Sequence, residues 1–407
     1  MTEHRSLARV QRSLGDPAIA YDLWPPLTQG CPRTSTADLA YPVEVDYDYD
    51  RVPKALFPQG LERAPGGGLD RWAPLLPPLA APTLGEGGTP LLELEPGVFV
   101  KDESRNPTWS HKDRLNRCTT SAAVAVGAPG IVVASSGNHG ASAAAYAARA
   151  GLPCVVFASA GMPPAVDAFL HAYGAIVLPV PVETRWPLMR QVVDRFGLHP
   201  VSNLTATHTG HAFGPEGYKS IAYEIHADIG IPSAVFVPTG YGELLYGVWK
   251  GFAELRRLGL TDRVPRMYAC QTAAAAPLAE AVRTGVPATA VDVAPTEAYS
   301  IVAPVSGYRG VRVLEDSGGR VLELDDRQLA AARAELSAAG LWVELSSAAG
   351  LAGLRSVARE DPVDGPVVCI STSSGFKDRS VGRDVAEAIA PDWEEIRRRL
   401  RAAGLGV

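Results

Sequence analysis

The sequence lacks the features that mark secreted, membrane-bound or nucleic-acid-binding proteins. Of its 407 residues only five are cysteine, and none forms a Cys-x-x-Cys pair, which argues against a disulfide framework or a complete zinc site and predicts reduced thiols. The formal net charge of -6 argues against nucleic acid or an anionic membrane as the main partner. No apolar stretch reaches the roughly 18 residues of a membrane span, and residues 1–10 lack the apolar core of a signal peptide. These absences favour a cytoplasmic protein that acts on a small molecule.

The composition is that of an ordinary globular protein, with 46% hydrophobic and 20% charged residues. A chain of this length suggests two domains, or one large domain with an insert. Residues 1–83 are rich in proline, glycine and aromatic residues and show little periodicity, so we expect an extension that wraps the rest of the protein. Within it, Ala64–Gly68 has the composition of a flexible loop.

From about residue 91, short apolar runs alternate with alanine-rich segments of helical length. We predict strands at 98–100, 130–134, 154–157, 175–180, 235–238 and 367–370, and helices at 141–150, 164–173 and 244–258. This alternation predicts an α/β fold of parallel sheets with helices on both faces. Ligands of such folds bind at the carboxyl ends of the strands. Three turns of unusual composition follow predicted strands: SSGNHG at 135–140, TGYGE at 239–243 and STSSG at 371–375.

Four segments have side chains suited to one kind of chemistry. Lys112 lies in NPTWSHKDR at 106–114; a lone lysine is more often a surface charge, and a Schiff-base lysine needs a reachable, partly desolvated amine. The SSGNHG turn can bind a carboxylate through N–H groups at a helix start, although a plain tight turn is equally possible. The TGYGE turn can hold a phosphate, and the hydroxyls of STSSG can bind a ring nitrogen, but each pattern alone is more often structural.

Together the four segments resemble the fold-type-II enzymes that use pyridoxal 5′-phosphate, and most of all the threonine synthase family. The similarity includes LGEGGTPLL at 84–92, VKDESRNPT at 100–108 and PEGYKSIAYEI at 215–225, and it covers about residues 84–378. It implies two α/β domains of parallel or mixed sheets with the cofactor in the cleft between them. We expect a large cofactor-binding domain from 84–118 and 205–390, a small inserted domain from 119–204 and a C-terminal helix at 391–407. We also expect a homodimer.

The resemblance implies a role for each matching residue. Lys112 would hold the cofactor as a Schiff base and later take the Cα proton of the substrate. Asn138 would contact the cofactor 3′-oxygen, and Thr372 would face the pyridine nitrogen. The cofactor phosphate would bind at Gly240, Tyr241, Gly242 and Glu243. The amino-acid substrate would contact Ser110, His111, Ser135, Ser136, Gly137 and His139.

Four departures from the family pattern bear on the substrate and on metal binding. Gly214 stands where threonine synthases usually have an arginine for the substrate phosphate, which weakens O-phosphohomoserine as the substrate. Trp109 and His111 replace the usual small and aromatic residues of the lysine motif, and Glu243 stands in the phosphate turn where glycine is common. The segment Cys31–Asp50 resembles the end of a zinc ribbon but keeps one cysteine, so we expect no metal.

We therefore predict threonine synthase-like elimination or replacement at Cβ or Cγ of an amino acid, with poor turnover of O-phosphohomoserine. A distant cation could replace the missing arginine, the candidates being Lys219, Arg309 and Arg379. One alternative is a serine/threonine dehydratase or a β-replacing synthase that acts on an O-activated serine. Another alternative is a non-catalytic binding or regulatory protein. The presence of Lys112 argues against this alternative. We interpret His208 and His211 as ordinary polar residues near the mouth of the site.

Overall fold

The computed structural model describes residues 5–57, 68–357, 363–379, 381, 388–389 and 391–405. The loop predicted at Ala64–Gly68 lies outside these residues except for Gly68. Over the described ranges, no helix is long and apolar enough to cross a membrane.

The strands are β1 (Ala8–Ser13), β2 (Ala20–Asp22), β3 (Val43–Tyr47), β4 (Leu91–Glu95), β5 (Val98–Asp102), β6 (Ile131–Ala134), β7 (Cys154–Ala158), β8 (Ile176–Pro179), β9 (His199–Pro200), β10 (Ala234–Pro238), β11 (Arg266–Thr272), β12 (Arg320–Leu324) and β13 (Val367–Ser371). The helices are α1 (Lys112–Ala125), α2 (Asn138–Ala150), α3 (Pro164–Ala172), α4 (Arg185–Phe196), α5 (Gly214–Ile229), α6 (Glu243–Arg257), α7 (Pro277–Thr284), α8 (Tyr308–Ser317), α9 (Asp326–Ala338), α10 (Ala349–Val357) and α11 (Trp393–Ala402).

The largest sheet has six strands in the order β12-β11-β10-β13-β5-β4. All neighbours are parallel except β4 and β5. Strands β10 and β13 are buried along their whole length, as expected for central parallel strands that helices cover on both faces. The carboxyl ends of these two strands lead into the TGYGE and STSSG turns.

A second, four-stranded sheet is parallel throughout, in the order β8-β7-β6-β9. The alanine-rich helix α2 packs against β6 and β7 and ends at Gly151, whose φ of +71° is the left-handed conformation that glycine favours after a helix. The SSGNHG turn joins β6 to α2. The predicted α/β fold is thus confirmed. The boundary expected at residue 119 falls within α1, and the division into domains stays a proposal.

The N-terminal extension forms a three-stranded antiparallel sheet, β2-β1-β3, that the low periodicity of residues 1–83 did not lead us to expect. In β3, Val43, Val45 and Tyr47 are buried while Glu44 and Asp46 are partly exposed. The buried face joins the hydrophobic core of α5, α6 and the large sheet. The extension therefore packs on the catalytic part of the chain and shares its core.

Candidate active site

The lysine motif and the hydroxyl turn are joined by main-chain contacts. Lys112 is the first residue of α1, and the main-chain N–H of His111 donates to the Thr372 carbonyl oxygen over 3.0 Å. Ser110 and Ser373 form a β-bridge beside this contact. Lys112 is thereby held at the carboxyl end of β13, the edge of the sheet where a ligand was predicted.

The Lys112 amine is in an environment suited to Schiff-base chemistry. Its Nζ donates a hydrogen bond to Tyr218 Oη over 3.1 Å. Burial lowers the pKa of Lys112, an effect that the charge of Glu243 partly opposes. A lowered pKa raises the fraction of unprotonated, nucleophilic amine at neutral pH. Tyr218 belongs to the PEGYKS segment, but nothing in that segment identified it as the partner of the lysine.

The predicted residues Asn138 and Thr372 lie within one hydrogen-bond network. Ser373 Oγ donates to Asn138 Oδ1 over 3.1 Å, and Asn138 Nδ2 donates to Glu344 Oε2 over 2.9 Å. Burial raises the pKa of Glu344. The Thr372 hydroxyl lies 2.8 Å from that of Ser347. Neither Glu344 nor Ser347 was predicted. Ser347 lies in the 3₁₀ segment Leu345–Ala348, Glu344 directly precedes it, and this stretch between α9 and α10 carries no recognisable motif.

The TGYGE turn has the geometry of an anion-binding helix start. Gly242 precedes α6 with a φ of +92°, which other residues rarely adopt, and the first N–H groups of α6 are free to bind an anion. The Glu243 carboxylate packs against Gly210, where a Cβ atom would overlap with it, and lies 3.9 Å from His208 Nε2. The Glu243 side chain, which is unusual at this position of the family pattern, therefore makes its contacts outside the TGYGE turn.

The histidines interpreted as lying at the mouth of the site are in fact buried. His208 is 5% exposed and His211 is 1% exposed. The His208 ring stacks on Tyr241 with 4.3 Å between centroids, and His211 Nε2 lies 2.8 Å from His199 Nε2. Among the residues that the structure describes, no three His, Cys, Asp or Glu side chains are grouped to hold a metal ion.

Two neutral imidazoles interact with Lys112, and the motifs around it contain buried hydroxyls without a partner in the described part of the chain. Burial, and secondarily the charge of Lys112, lowers the pKa of His111 and lowers that of His139 to about 3. The buried atoms His139 Nε2, Ser110 Oγ and Ser371 Oγ have no hydrogen-bond partner in the described part of the chain. Buried polar atoms without a partner are costly, so these atoms suit a polar ligand. A desolvated amine, an anion-binding turn and nearby hydroxyl and amide groups fit pyridoxal 5′-phosphate.

The SSGNHG turn follows a strand of the small sheet, and two of its hydroxyl groups already accept hydrogen bonds within the protein. Ser135 Oγ accepts a hydrogen bond from the Gly137 N–H over 3.3 Å. Ser136 Oγ accepts from the Ser159 N–H and, over 3.4 Å, from Arg185 Nη1. Arg185 was not predicted, because it lies some fifty residues further along in α4.

The fold and the site define an enzyme of the pyridoxal-phosphate type, and comparison with known proteins supports this conclusion. Residues 82–373 match the family model described as pyridoxal-phosphate dependent enzyme. The chain belongs to this family, and pyridoxal 5′-phosphate is its cofactor.

Its relatives include threonine synthases. The chain is 33% identical to that of Mycobacterium tuberculosis over 344 residues, covering 81% of this chain and 90% of the relative. It is 30% identical to that of Methanosarcina acetivorans over 337 residues, covering 78% of this chain and 82% of the relative.

Solved structures with the same fold include the following two. Processed threonine deaminase isoform 2 from Solanum lycopersicum has a TM-score of 0.61 at 18% identity, covering 78% of this chain and 84% of that one. Maize serine racemase has a TM-score of 0.60 at 19% identity, covering 78% and 93%.

Proposed function

We propose that the protein catalyses threonine synthase-like elimination or replacement at Cβ or Cγ of an amino acid, with Lys112 attached to the cofactor as a Schiff base. The position of Lys112 carries the proposal. Its amine is desolvated, donates a hydrogen bond to Tyr218, and interacts electrostatically with Glu243 of the TGYGE turn and with His139 of the SSGNHG turn. A surface lysine would share none of these features.

The other motif residues would hold the cofactor. The N–H groups of Gly240–Glu243 suit its phosphate, the Asn138 amide its 3′-oxygen and the Thr372 hydroxyl its ring nitrogen. When bound, pyridoxal 5′-phosphate supplies the electron sink that stabilises negative charge at Cα. The Thr372 hydroxyl, in place of a carboxylate that would favour protonation, would leave that nitrogen neutral. The weaker electron sink would favour prompt loss of a leaving group over transamination.

The residues of the chain itself would bind the substrate and move its proton. The lowered pKa of Lys112 leaves an amine that can accept the Cα proton at neutral pH. The turn at Ser135–His139, with Ser110 and His111, would bind the substrate carboxylate. Because the three motif turns come from both sheets, closure of the cleft would exclude water from the reacting atoms. We further propose that the enzyme works in the cytoplasm as a homodimer.

Borohydride reduction followed by peptide mass spectrometry tests the role of Lys112. We expect one reduced cofactor adduct per chain, on the peptide that contains Lys112, and no adduct in Lys112→Ala. Lys54→Ala, which removes an exposed lysine, is the control and should keep the adduct. An adduct of unchanged amount in Lys112→Ala would disprove the assignment.

Turnover of a panel of amino acids tests the reaction. The panel contains O-phosphohomoserine, O-acetylhomoserine, O-phosphoserine, serine and threonine, with threonine, 2-oxo acid and the released leaving group measured separately. We expect release of a leaving group from at least one activated amino acid. Deamination of serine or threonine alone would indicate the dehydratase, and no turnover at all would indicate a binding protein.

A further inference from the structure

The proposed reaction raises the question of what binds the distal end of the substrate, because Gly214 replaces the usual phosphate-binding arginine. Gly214 is the first residue of α5, and a Cβ atom there would lie 3.1 Å from Leu115 Cγ and 3.5 Å from Thr119 Cγ2. The position therefore faces α1 inside the core. A long cationic side chain could not be accommodated there without repacking this contact.

The distant cations considered as replacements are already engaged. Lys219 Nζ lies 2.8 Å from Glu216 Oε2 and 2.9 Å from Glu254 Oε1. Arg309 donates from both of its Nη atoms to main-chain carbonyl oxygens. The Arg379 guanidinium lies 4.2 Å from the ring centroid of Tyr299. Lys219 is thus neutralised by carboxylates, Arg309 already uses its Nη donors inside the core, and the exposed Arg379 is held against Tyr299.

Lys377 is a further buried cation, and its surroundings are acidic. Its Nζ has no hydrogen-bond partner among the residues that the structure describes and lies 5.1 Å from the ring centroid of Phe169. Burial lowers the pKa of Lys377 to about 8, while Asp113 and Glu344 act in the opposite direction. Two carboxylates thus already interact with this ammonium group, which makes it a poorer partner for an additional anion.

Arg185 differs from these cations in both position and partners. It begins α4, and its Nη1 donates to Ser136 Oγ in the SSGNHG turn over 3.4 Å. Its charge also interacts with the Tyr241 phenol of the TGYGE turn, and the ring of the neighbouring Trp186 lies 6.0 Å from that of Tyr241. Arg185 therefore lies between the two turns that flank Lys112.

The half-buried Arg185 guanidinium has no carboxylate within salt-bridge distance in the described part of the chain, and its hydrogen bonds, to Ser136 and to the Val182 carbonyl oxygen over 3.3 Å, are long. Burial lowers the pKa of this arginine, which is the electrostatic cost of a charge that lacks an anion. A guanidinium matches the oxygens of a phosphate or carboxylate with two parallel N–H donors.

We propose that Arg185, with the Tyr241 phenol, forms the subsite for an oxyanion at the distal end of the amino-acid substrate, next to Ser136 of the turn that would bind the substrate α-carboxylate. The charge that the family usually places at position 214 would be supplied in this chain from α4, which packs against β6 and β7 of the small sheet. This inference rests on the proposed function and narrows its substrate to amino acids with a phosphate, sulfate or carboxylate group beyond Cβ.

Two amino acids of equal chain length test the subsite by binding alone. L-2-amino-5-phosphonopentanoate carries a distal phosphonate, and L-norvaline ends in a methyl group. The dissociation constant of each for the holoenzyme is measured from the change in cofactor absorbance. We expect wild type to prefer the phosphonate at least tenfold. Arg185→Gln should reduce that preference by about 10- to 100-fold, the loss expected for a charge-assisted hydrogen bond, with norvaline binding unchanged.

Three further variants complete the test. Arg185→Lys should keep part of the preference, and Arg195→Gln, an exposed arginine on the same helix, should keep all of it. The proposal is overturned if Arg185→Gln keeps the preference, if it weakens both ligands equally, or if the preference is lost in Lys377→Met instead. A wild-type protein that takes up no pyridoxal 5′-phosphate would refute the proposed function. The subsite proposal, which rests on that function, would then be refuted as well.

Discussion

Tyr218 makes a neutral hydrogen bond to the Lys112 amine, and we expect this bond to affect the protonation of the lysine. Its hydroxyl accepts from Lys112 Nζ over 3.1 Å, which favours the protonated amine. Tyr218→Phe removes this acceptor, so the pKa of Lys112, already lowered by burial, should fall further. A net hydrogen bond of about 0.5–1.5 kcal/mol corresponds to roughly 0.4–1 pH unit. We expect the midpoint of the pH profile for cofactor attachment to shift downwards by that amount.

Tyr223→Phe is the matched control for this measurement. It makes the same change in the same helix, but the Tyr223 hydroxyl donates to Glu254, away from the lysine. We expect it to change the stability of the protein and to leave the midpoint of cofactor attachment in place. Equal midpoints in wild type and Tyr218→Phe would mean that Tyr218 does not act on the lysine.

Single residues of the site differ in how far the sequence could identify them. Lys112, Asn138 and Thr372 lie in contiguous motifs, so their residue types and spacing suggest roles that stay predictions until tested. Glu344 and Arg185 meet the motifs only in space. Glu344 bonds to Asn138 from about 200 positions further along the chain, and Arg185 reaches Ser136 from another helix. No local sequence pattern predicts contacts between residues so far apart in the chain.

Among the elements, the loop before Lys112 has an unusual backbone at Trp109. This residue has a φ of +61°, a left-handed conformation that costs a non-glycine residue about 1–2 kcal/mol. Its carbonyl oxygen lies 3.1 Å from Ser373 Oγ and accepts from the Ser374 N–H over 3.2 Å. The strained loop is thus tied to the hydroxyl turn, and the indole ring packs edge-on against Phe169 of α3, with centroids 5.3 Å apart.

Two substitutions at Trp109 separate backbone strain from packing. Trp109→Gly and Trp109→Ala both lose the ring contacts, but only glycine adopts the left-handed conformation without a steric penalty. We expect the glycine variant to be the more stable of the two by about 1 kcal/mol in equilibrium urea unfolding. In an unstrained element the order would be reversed, so a more stable alanine variant would show that the conformation imposes no strain.

Regular elements were predictable where burial leaves a simple pattern. The strands at 131–134, 154–158 and 234–238 end within one or two residues of the predicted bounds, because a strand covered on both faces is an unbroken apolar run. The N-terminal sheet was missed because β3 reads VEVDY, an alternation of only five residues inside a segment rich in proline and glycine. Its stability comes from packing against α6, which the local sequence does not show.

On the scale of the whole molecule, buried neutral histidines set how stability depends on pH. Burial lowers the pKa of His111, His208 and His211, lowers that of His199 to about 4 and lowers that of His139 to about 3. An unfolded histidine titrates near pH 6.5. Between the folded and unfolded values only the unfolded chain binds the proton, so stability rises with pH there. The contribution is fully present above about pH 6.5 and is lost as pH falls towards 4.

Buried carboxyl groups act in the opposite direction over part of this range, because burial raises the pKa of Asp113, Glu243 and Glu344. The folded state then binds protons that the unfolded state has released, and stability from these groups increases as pH falls. The measured slope of the unfolding free energy against pH is therefore the difference between the histidine and the carboxyl contributions. A variant is needed to isolate the histidine contribution.

His199→Gln isolates one histidine that lies outside the cofactor turns and whose ring nitrogen contacts that of His211. Removing one group that protonates on unfolding should reduce the slope of the unfolding free energy between pH 6.5 and 5 by about 1 kcal/mol per pH unit. Urea unfolding of the cofactor-free protein at several pH values in this window measures the slope. His171→Gln, which removes an exposed histidine of α3 whose side chain is 68% accessible, should leave it unchanged. Equal slopes in wild type and His199→Gln would mean that His199 is protonated in the folded state, and that the imidazole pair in the core carries a charge.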